Sequence, residues 1–333
     1  MMGSVSGVTA AIGSRGAKRA FSAGSALFGL GATALTARHF ASSGWPIHHA
    51  NAWLVVLAGE LFLLAYAVKA LGWHYLFAQG RRPRVLTLAA AGGAASVGGV
   101  ALPGRFDEVI RIAVVRRCRG CKASLGAVGL SIVLLGLLDS AALTPLASAA
   151  AVGSAPSTTF RIALGLVAAA GVAAAAVVLF LPRLAGHPRV AGFRIASWAR
   201  EHAACPRDAA LAWSFVAASW VLRGLGIFVL LGALSLKGSL TLALAVLCAS
   251  AAAAALPIAP AGQAMQAGAG AAVLAAAGVH VEQAIGFAVA AQTLVVAAGA
   301  LVVVAMGTVH AGARLRGAMV QREVPAFAPF ASR

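Results

Sequence analysis

GGAASVGGVALPGR at residues 92–105 and ASAAAAALPIAPAGQ at residues 249–263 occupy corresponding places in the two halves of this 333-residue chain. Both are apolar runs of small residues that proline breaks before a regular helix could cross a bilayer. In a membrane-embedded chain, a pair of interrupted segments in matching positions points to a substrate site built from discontinuous helices. The composition supports the membrane premise. With 61% hydrophobic and 10% charged residues, the chain lacks the polar side chains needed to cover a water-soluble globule of this size.

A spanning helix takes about 20 apolar residues. Six stretches approach or exceed that length, at residues 21–37, 51–77, 124–152, 160–181, 209–234 and 284–309. Two Pro-interrupted hairpins fill the gaps, at residues 85–122 and 239–278. The expected fold is an all-α polytopic membrane protein with about six full transmembrane helices and two re-entrant helical hairpins. It forms a single transmembrane domain, 1–333, with pseudo-repeat halves at 20–152 and 160–309 and short cytoplasmic tails at 1–19 and 310–333.

The formal net charge of +18 raises the question of nucleic acid. The basic residues, however, fall in clusters between apolar runs, and no RNA- or DNA-reading motif is present, so no nucleic-acid partner is expected. Short cytoplasmic loops collect Lys and Arg, and on that rule twenty-one of the 26 lie on one side. Both termini are then cytoplasmic, in a multi-pass protein of the cell (inner or plasma) membrane. Residues 85–102 are apolar enough to cross, but Arg105, Arg111, Arg116, Arg117, Arg119 and Lys122 follow. A crossing would place all six outside, so the first hairpin is expected to dip in from the cytoplasm and return. Irregular backbone at that depth requires surrounding protein or a watery cavity. Between residues 238 and 281 there is no charged side chain, and the second hairpin is free to re-enter or to cross twice. If it re-enters, each half reads helix, helix, hairpin, helix, and three crossings invert the second half relative to the first. That inverted repeat is the usual basis of alternating access.

The most specific local motif is LPGRFDEVIR, from Leu102 to Arg111. Pro103 and Gly104 break the chain; Asp107 and Glu108 then fall in the first turn of a new helix, where carboxylates favour the positive dipole end. Arg111 lies four residues after Asp107 and three after Glu108, so either pairing is available on one helical face. A capped interfacial helix and a phosphate-binding Arg111 held by Glu108 are both compatible with this pattern.

Pro103, Gly104, Glu108 and Arg111 together resemble the signature of the lysylphosphatidylglycerol synthase transmembrane (flippase-like) family. Trp73, the basic stretch from Arg81 to Arg84, Asp139, and the Pro260 and Gly262 element extend the resemblance over most of the chain. It implies a helical bundle with re-entrant hairpins that moves aminoacylated or polyprenyl-linked lipids between leaflets, with Pro103, Gly104, Glu108, Arg111, Pro260 and Gly262 at the substrate; Arg223, a charge inside an apolar run, is expected to join them. Departures are Asp107 where the family has Gly, Leu135 and Gly136 before Asp139, and Ala261, Gly262, Gln266 and Ala267 after Pro260. The second half thus lacks a charged pair, and a soluble aminoacyl-transfer domain with synthase activity is not expected.

Glu60, Asp139 and Arg223 stand inside apolar runs, where a charge costs about 2.5–3.5 kcal/mol on insertion scales. A three-way cluster of these residues, coupling charge within the membrane, is expected. Lys69, near a helix end, is expected to snorkel to the interface. Cys118-x-x-Cys121 and His202-x-x-Cys205 have zinc-like spacing, but their basic flanks and separation argue against a site; no metal and no cofactor is expected. No nucleophile or paired-carboxylate constellation suggests an enzyme. The leading expectation is a flippase-type transporter of an anionic or aminoacylated phospholipid or a polyprenyl-linked lipid, using a midplane cavity. The alternatives are a secondary transporter of a small anionic solute and a non-transporting envelope-assembly scaffold. The expected partners are membrane phospholipids or a lipid-linked substrate, with a homo-oligomer or an envelope-synthesis partner also compatible.

Overall fold

The computed structural model describes residues 50–101, 106–117, 123–153, 157–186, 205–255 and 262–323, and Arg38. Within them the chain forms nine helices and no strand: α1 Ala52–Tyr75, α2 Val85–Ala101, α3 Phe106–Arg117, α4 Leu125–Gly153, α5 Thr158–Gly186, α6 Pro206–Ala233, α7 Leu240–Ala255, α8 Gly262–Ala276 and α9 Val281–Glu323. Five of these are long and apolar enough to cross a membrane, namely α1, α4, most of α5, α6 and the Val281–Val309 part of α9. They coincide within a few residues with five of the six expected spans; residues 21–37 lie outside the described residues. The protein is therefore a multi-pass, all-helical membrane protein.

The two Pro-broken regions form the short helices. At 1.5 Å per residue, the 17 residues of α2 span about 25 Å and the 12 of α3 about 18 Å, against about 30 Å of hydrocarbon. α3 folds back along α2, so the basic residues of α3 return toward the end at which α2 began. α7 and α8, of 16 and 15 residues, pair in the same way. At the end of α8, Gly278 adopts φ +89 while the Val279 amide donates to the Leu274 carbonyl at 3.0 Å. This left-handed cap satisfies orphan carbonyls and turns the chain into α9.

The most extensive helix pair is α1 with α6, which run antiparallel. Asn51 caps α1 by accepting from the Trp53 amide at 3.1 Å, and its own amide donates to Ala233 at the far end of α6 at 3.0 Å. Small residues bring the two helices together: Gly72 faces Ala212 and Val216, and Gly226 faces Phe62. Lipid tails are as apolar as Leu, so such close backbone approach, rather than hydrophobicity, supplies the packing energy.

Around this pair, α4 packs on α5, α6 and α7, while α9 packs on α1, α2 and α8. At the α2–α9 crossing the two backbones approach closely. Gly93 lies against the backbone of Gly299, and Gly299 against Gly93 and Ser96. α9 continues as helix to Glu323, so the segment expected as a tail begins as an extension of the last span.

Candidate functional site

Residues three apart share a helix face, which places Tyr66 with Lys69 on α1 and Trp220 with Arg223 on α6. These two faces meet across the α1–α6 crossing. Lys69 Nζ lies 2.8 Å from Asp139 Oδ2 of α4, and the Trp220 indole N–H donates to Asp139 Oδ1 at 2.8 Å. Each cation also covers the other helix's aromatic ring: Lys69 is 5.4 Å from the Trp220 centroid and Arg223 is 5.4 Å from that of Tyr66. Arg223 additionally lies 5.3 Å from the Trp220 centroid. Tyr66 donates its hydroxyl to the Val295 carbonyl of α9 at 3.4 Å. Four helices thus converge on one half-buried cluster.

The electrostatic balance of this cluster is positive. Asp139 neutralises Lys69, whereas Arg223 makes no ion pair among the described residues and is held by ring faces. Arg111, on α3, is 3.4 Å from Asp107 in an i,i+4 contact, with Glu108 half-buried on the same helix. Such a contact contributes only about 0.2–0.5 kcal/mol, which leaves Arg111 free to exchange partners.

Two expectations are corrected. Lys69 does not reach for the interface, because it is paired with Asp139. Glu60 is not part of the cluster: nine residues separate it from Lys69, which at 3.6 residues per turn places the two about 180° apart on α1. Since Lys69 faces α4 and α6, Glu60 faces outward, and it is exposed. Asp139 and Arg223 do come together, around Trp220. Pro103, Gly104 and Pro260 lie outside the described residues, as do Cys118, Cys121 and His202; Gly262 opens α8. No group of three or more metal-ligating side chains occurs among the described residues.

Tyr66 and Trp220 escape the sequence reading and Lys69 is assigned there to the interface, although a signal for the cluster is present. Tyr-Ala-Val-Lys at 66–69 and Trp-Val-Leu-Arg at 220–223 are both aromatic-x-x-cation, placed alike in the two halves.

Trp73, near the end of α1, donates to Ser131 Oγ at 2.9 Å, and the Ser131 hydroxyl donates to the Val128 carbonyl at 2.8 Å. Both side chains are buried. Trp73→Phe is expected to lower stability by about 1–3 kcal/mol through lost packing and the lost hydrogen bond, read as a lower melting temperature in detergent.

A second polar cluster clasps the other end of the α1–α6 pair. Arg82 Nη2 lies 2.6 Å from Asp208 Oδ2, its Nε donates to the Phe77 carbonyl at 3.2 Å, and its guanidinium sits 5.0 Å from the Tyr75 centroid. Tyr75 stacks on Phe215 at 5.7 Å. Asp208 is buried in the first turn of α6, where the helix dipole favours it. Arg82→Ala strands this carboxylate; a loss of about 2–3 kcal/mol is expected, relieved in the Arg82→Ala/Asp208→Asn double variant.

Neither a curated protein nor a solved structure matches the chain. The helical bundle, the short paired helices and the charged cluster between them instead have a family context: residues 21–303 match the lysylphosphatidylglycerol synthase TM region, and the chain belongs to that family.

Proposed function

We propose that the protein is a transporter of flippase type that moves an anionic lipid between bilayer leaflets, with the headgroup passing the α1–α6 crossing. The observation that carries this reading is the half-buried cluster of Lys69, Asp139, Arg223 and Trp220, where positive charge exceeds negative within membrane-spanning helices. Ionisable side chains at such depth are expensive and mark substrate pathways by default. A phosphate is the lipid group that surplus cations would hold. Family membership supports a lipid-related role in the membrane.

An inverted repeat gives the cluster its means of alternating access. Its support is the order and pairing of elements. Helix, paired short helices and long helix recur as α1, α2–α3, α4 and as α6, α7–α8, α9, with α1 and α6 antiparallel. The shift that carries Tyr66 onto Trp220 also carries Ala101-Leu102-Pro103 onto Ala255-Leu256-Pro257. In this reading the α2–α3 and α7–α8 pairs enter from opposite faces, α2–α3 from the cytoplasm, and both chain termini are cytoplasmic. The protein acts without a chemical step of its own.

The test is a leaflet-sidedness assay in proteoliposomes containing fluorescent phosphatidylglycerol. The wild type is expected to equilibrate the probe far faster than protein-free vesicles, and Arg111→Ala and Glu108→Ala to slow it at least tenfold. Rates unchanged in both variants would remove the α3 motif from the mechanism, and a wild type no faster than empty vesicles would end the transport reading.

A further inference from the structure

Tyr66, Asp139, Trp220 and Val295 each stand fourteen residues beyond the first residue of their helix, counted from Ala52, Leu125, Pro206 and Val281. The contacts keep this register. Trp220 of α6 donates to Asp139 of α4, and Tyr66 of α1 donates to Val295 of α9. Lys69 and Arg223, three residues farther along, complete the correspondence, each over the ring of the other half.

One member breaks the pattern. Beside Lys69 stands the Asp139 carboxylate; the residue of corresponding register in the other half is Val295, which offers Tyr66 only its backbone carbonyl. Arg223 therefore keeps a full charge and five N–H donors against ring faces. Ring faces compensate the charge in part, by about 0.5–2 kcal/mol, and accept none of the in-plane donors in the way an oxyanion does. A planar guanidinium suits a phosphate, to which it donates two parallel hydrogen bonds.

The position also suits a lipid in transit. With Asn51 beside Ala233 and Gly72 facing Ala212, Tyr66 and Trp220 lie at nearly the same level along the antiparallel pair. At 1.5 Å per residue, Lys69 is displaced about 4.5 Å toward one end of the pair and Arg223 about 4.5 Å toward the other. A headgroup moving along the crossing meets one neutralised cation and one that is not.

We propose that Arg223 is the seat of the substrate's phosphate, which takes beside Arg223 the role that Asp139 has beside Lys69. This rests on the lipid-moving function proposed above and names its substrate class: a headgroup that carries a phosphate anion and no ammonium. Asp139 already accepts from Lys69 on one oxygen and from Trp220 on the other, and Asp107 faces Arg111. An ammonium at the cluster would meet Lys69 and Arg223 instead of a free carboxylate.

The correspondence suggests its own test, which is to restore the missing acid. The full-length protein in detergent micelles is titrated with phosphatidylglycerol, phosphatidylethanolamine and inorganic phosphate, and binding is followed by native mass spectrometry. Phosphatidylglycerol is expected to bind at least tenfold more tightly than phosphatidylethanolamine. Arg223→Gln removes the cation, and Val295→Asp supplies an internal anion in competition with the ligand. Each should weaken phosphatidylglycerol binding about tenfold, equivalent to about 1.4 kcal/mol. Val295→Asn, of similar size and uncharged, should weaken it less than threefold, which separates charge from shape. Melting of each variant controls for folding. Competition by inorganic phosphate at concentrations equal to the lipid would assign the anion to solution; its failure to compete assigns it to the bilayer, and in both cases Arg223 remains the seat. Wild-type affinity in Val295→Asp or Arg223→Gln, or equal affinity for phosphatidylethanolamine, would overturn the proposal. Arg223-dependent binding in a protein that leaves leaflet composition unchanged would instead defeat only the transport reading.

Discussion

Asp139→Ala is expected to lower stability by about 3–5 kcal/mol and to leave little folded protein in the membrane. Removing the carboxylate strands the Lys69 ammonium in a half-buried site and frees the Trp220 indole N–H at once. A broken pair of this kind is far more damaging than the absence of both partners, because the remaining charge has lost its counterion. Lys69→Met/Asp139→Leu should therefore recover most of the loss, since two apolar side chains of similar volume fill the same space without a desolvation penalty. The coupling energy from the four-membered cycle of wild type, both single variants and the double variant reads the interaction directly, as melting temperature in one detergent. Additive effects would show that Lys69 and Asp139 do not act as a pair. The double variant removes a cation and an anion together and leaves the surplus charge of Arg223, so it also separates folding from lipid movement. Melting close to the wild type, with leaflet exchange slowed less than in Arg223→Gln, is the expected outcome.

Gly93→Leu is expected to disrupt the α2–α9 crossing with a comparable loss. A Cβ built on Gly93 runs into the backbone carbonyl of Gly299, and a backbone atom has no alternative rotamer with which to yield. The two helices would have to separate, exposing the buried Ala89, Ala90 and Ala298 nearby. Overpacking costs about 1–3 kcal/mol where side chains give way, and rises where backbone must move. A loss above about 3 kcal/mol is therefore expected for Leu and a smaller one for Ala. At Gly136 an added Cβ meets nothing within 4 Å, so Gly136→Ala serves as a matched control expected to change stability little. Equal melting of the Gly93→Leu and Gly136→Ala variants would mean that α2 and α9 do not touch in this way.

Much of the architecture is visible in the sequence because apolar runs and their punctuation are local. The runs at 51–77, 124–152 and 209–234 become α1, α4 and α6 with ends displaced by a few residues, and proline separates α2 from α3 and α7 from α8. The length mismatch of the short helices is readable in the same way. What escaped depends on which face of a helix meets which neighbour. Lys69 lies six residues before the end of α1, within reach of an interface, and only the packing of α4 against α1 and α6 shows that Asp139 reaches it first. Once packing places Lys69 in the cluster, nine residues of α-helix put Glu60 on the opposite side of α1. An intramembrane Arg points in sequence to an acidic counterion, whereas the structure sets Arg223 against two ring faces.

The central claim is that the two halves face opposite sides of the membrane. It is tested by single cysteines at Arg84 and Arg117, which bound the α2–α3 pair, and at Ser239 and Ala277, which bound the α7–α8 pair, with the four native cysteines replaced. An impermeant maleimide is applied to right-side-out and inverted vesicles. Positions 84 and 117 should react only from the cytoplasmic face, and positions 239 and 277 only from the other. Labelling of all four positions from one face would contradict the inverted arrangement and, with it, the transport mechanism built on the α1–α6 crossing.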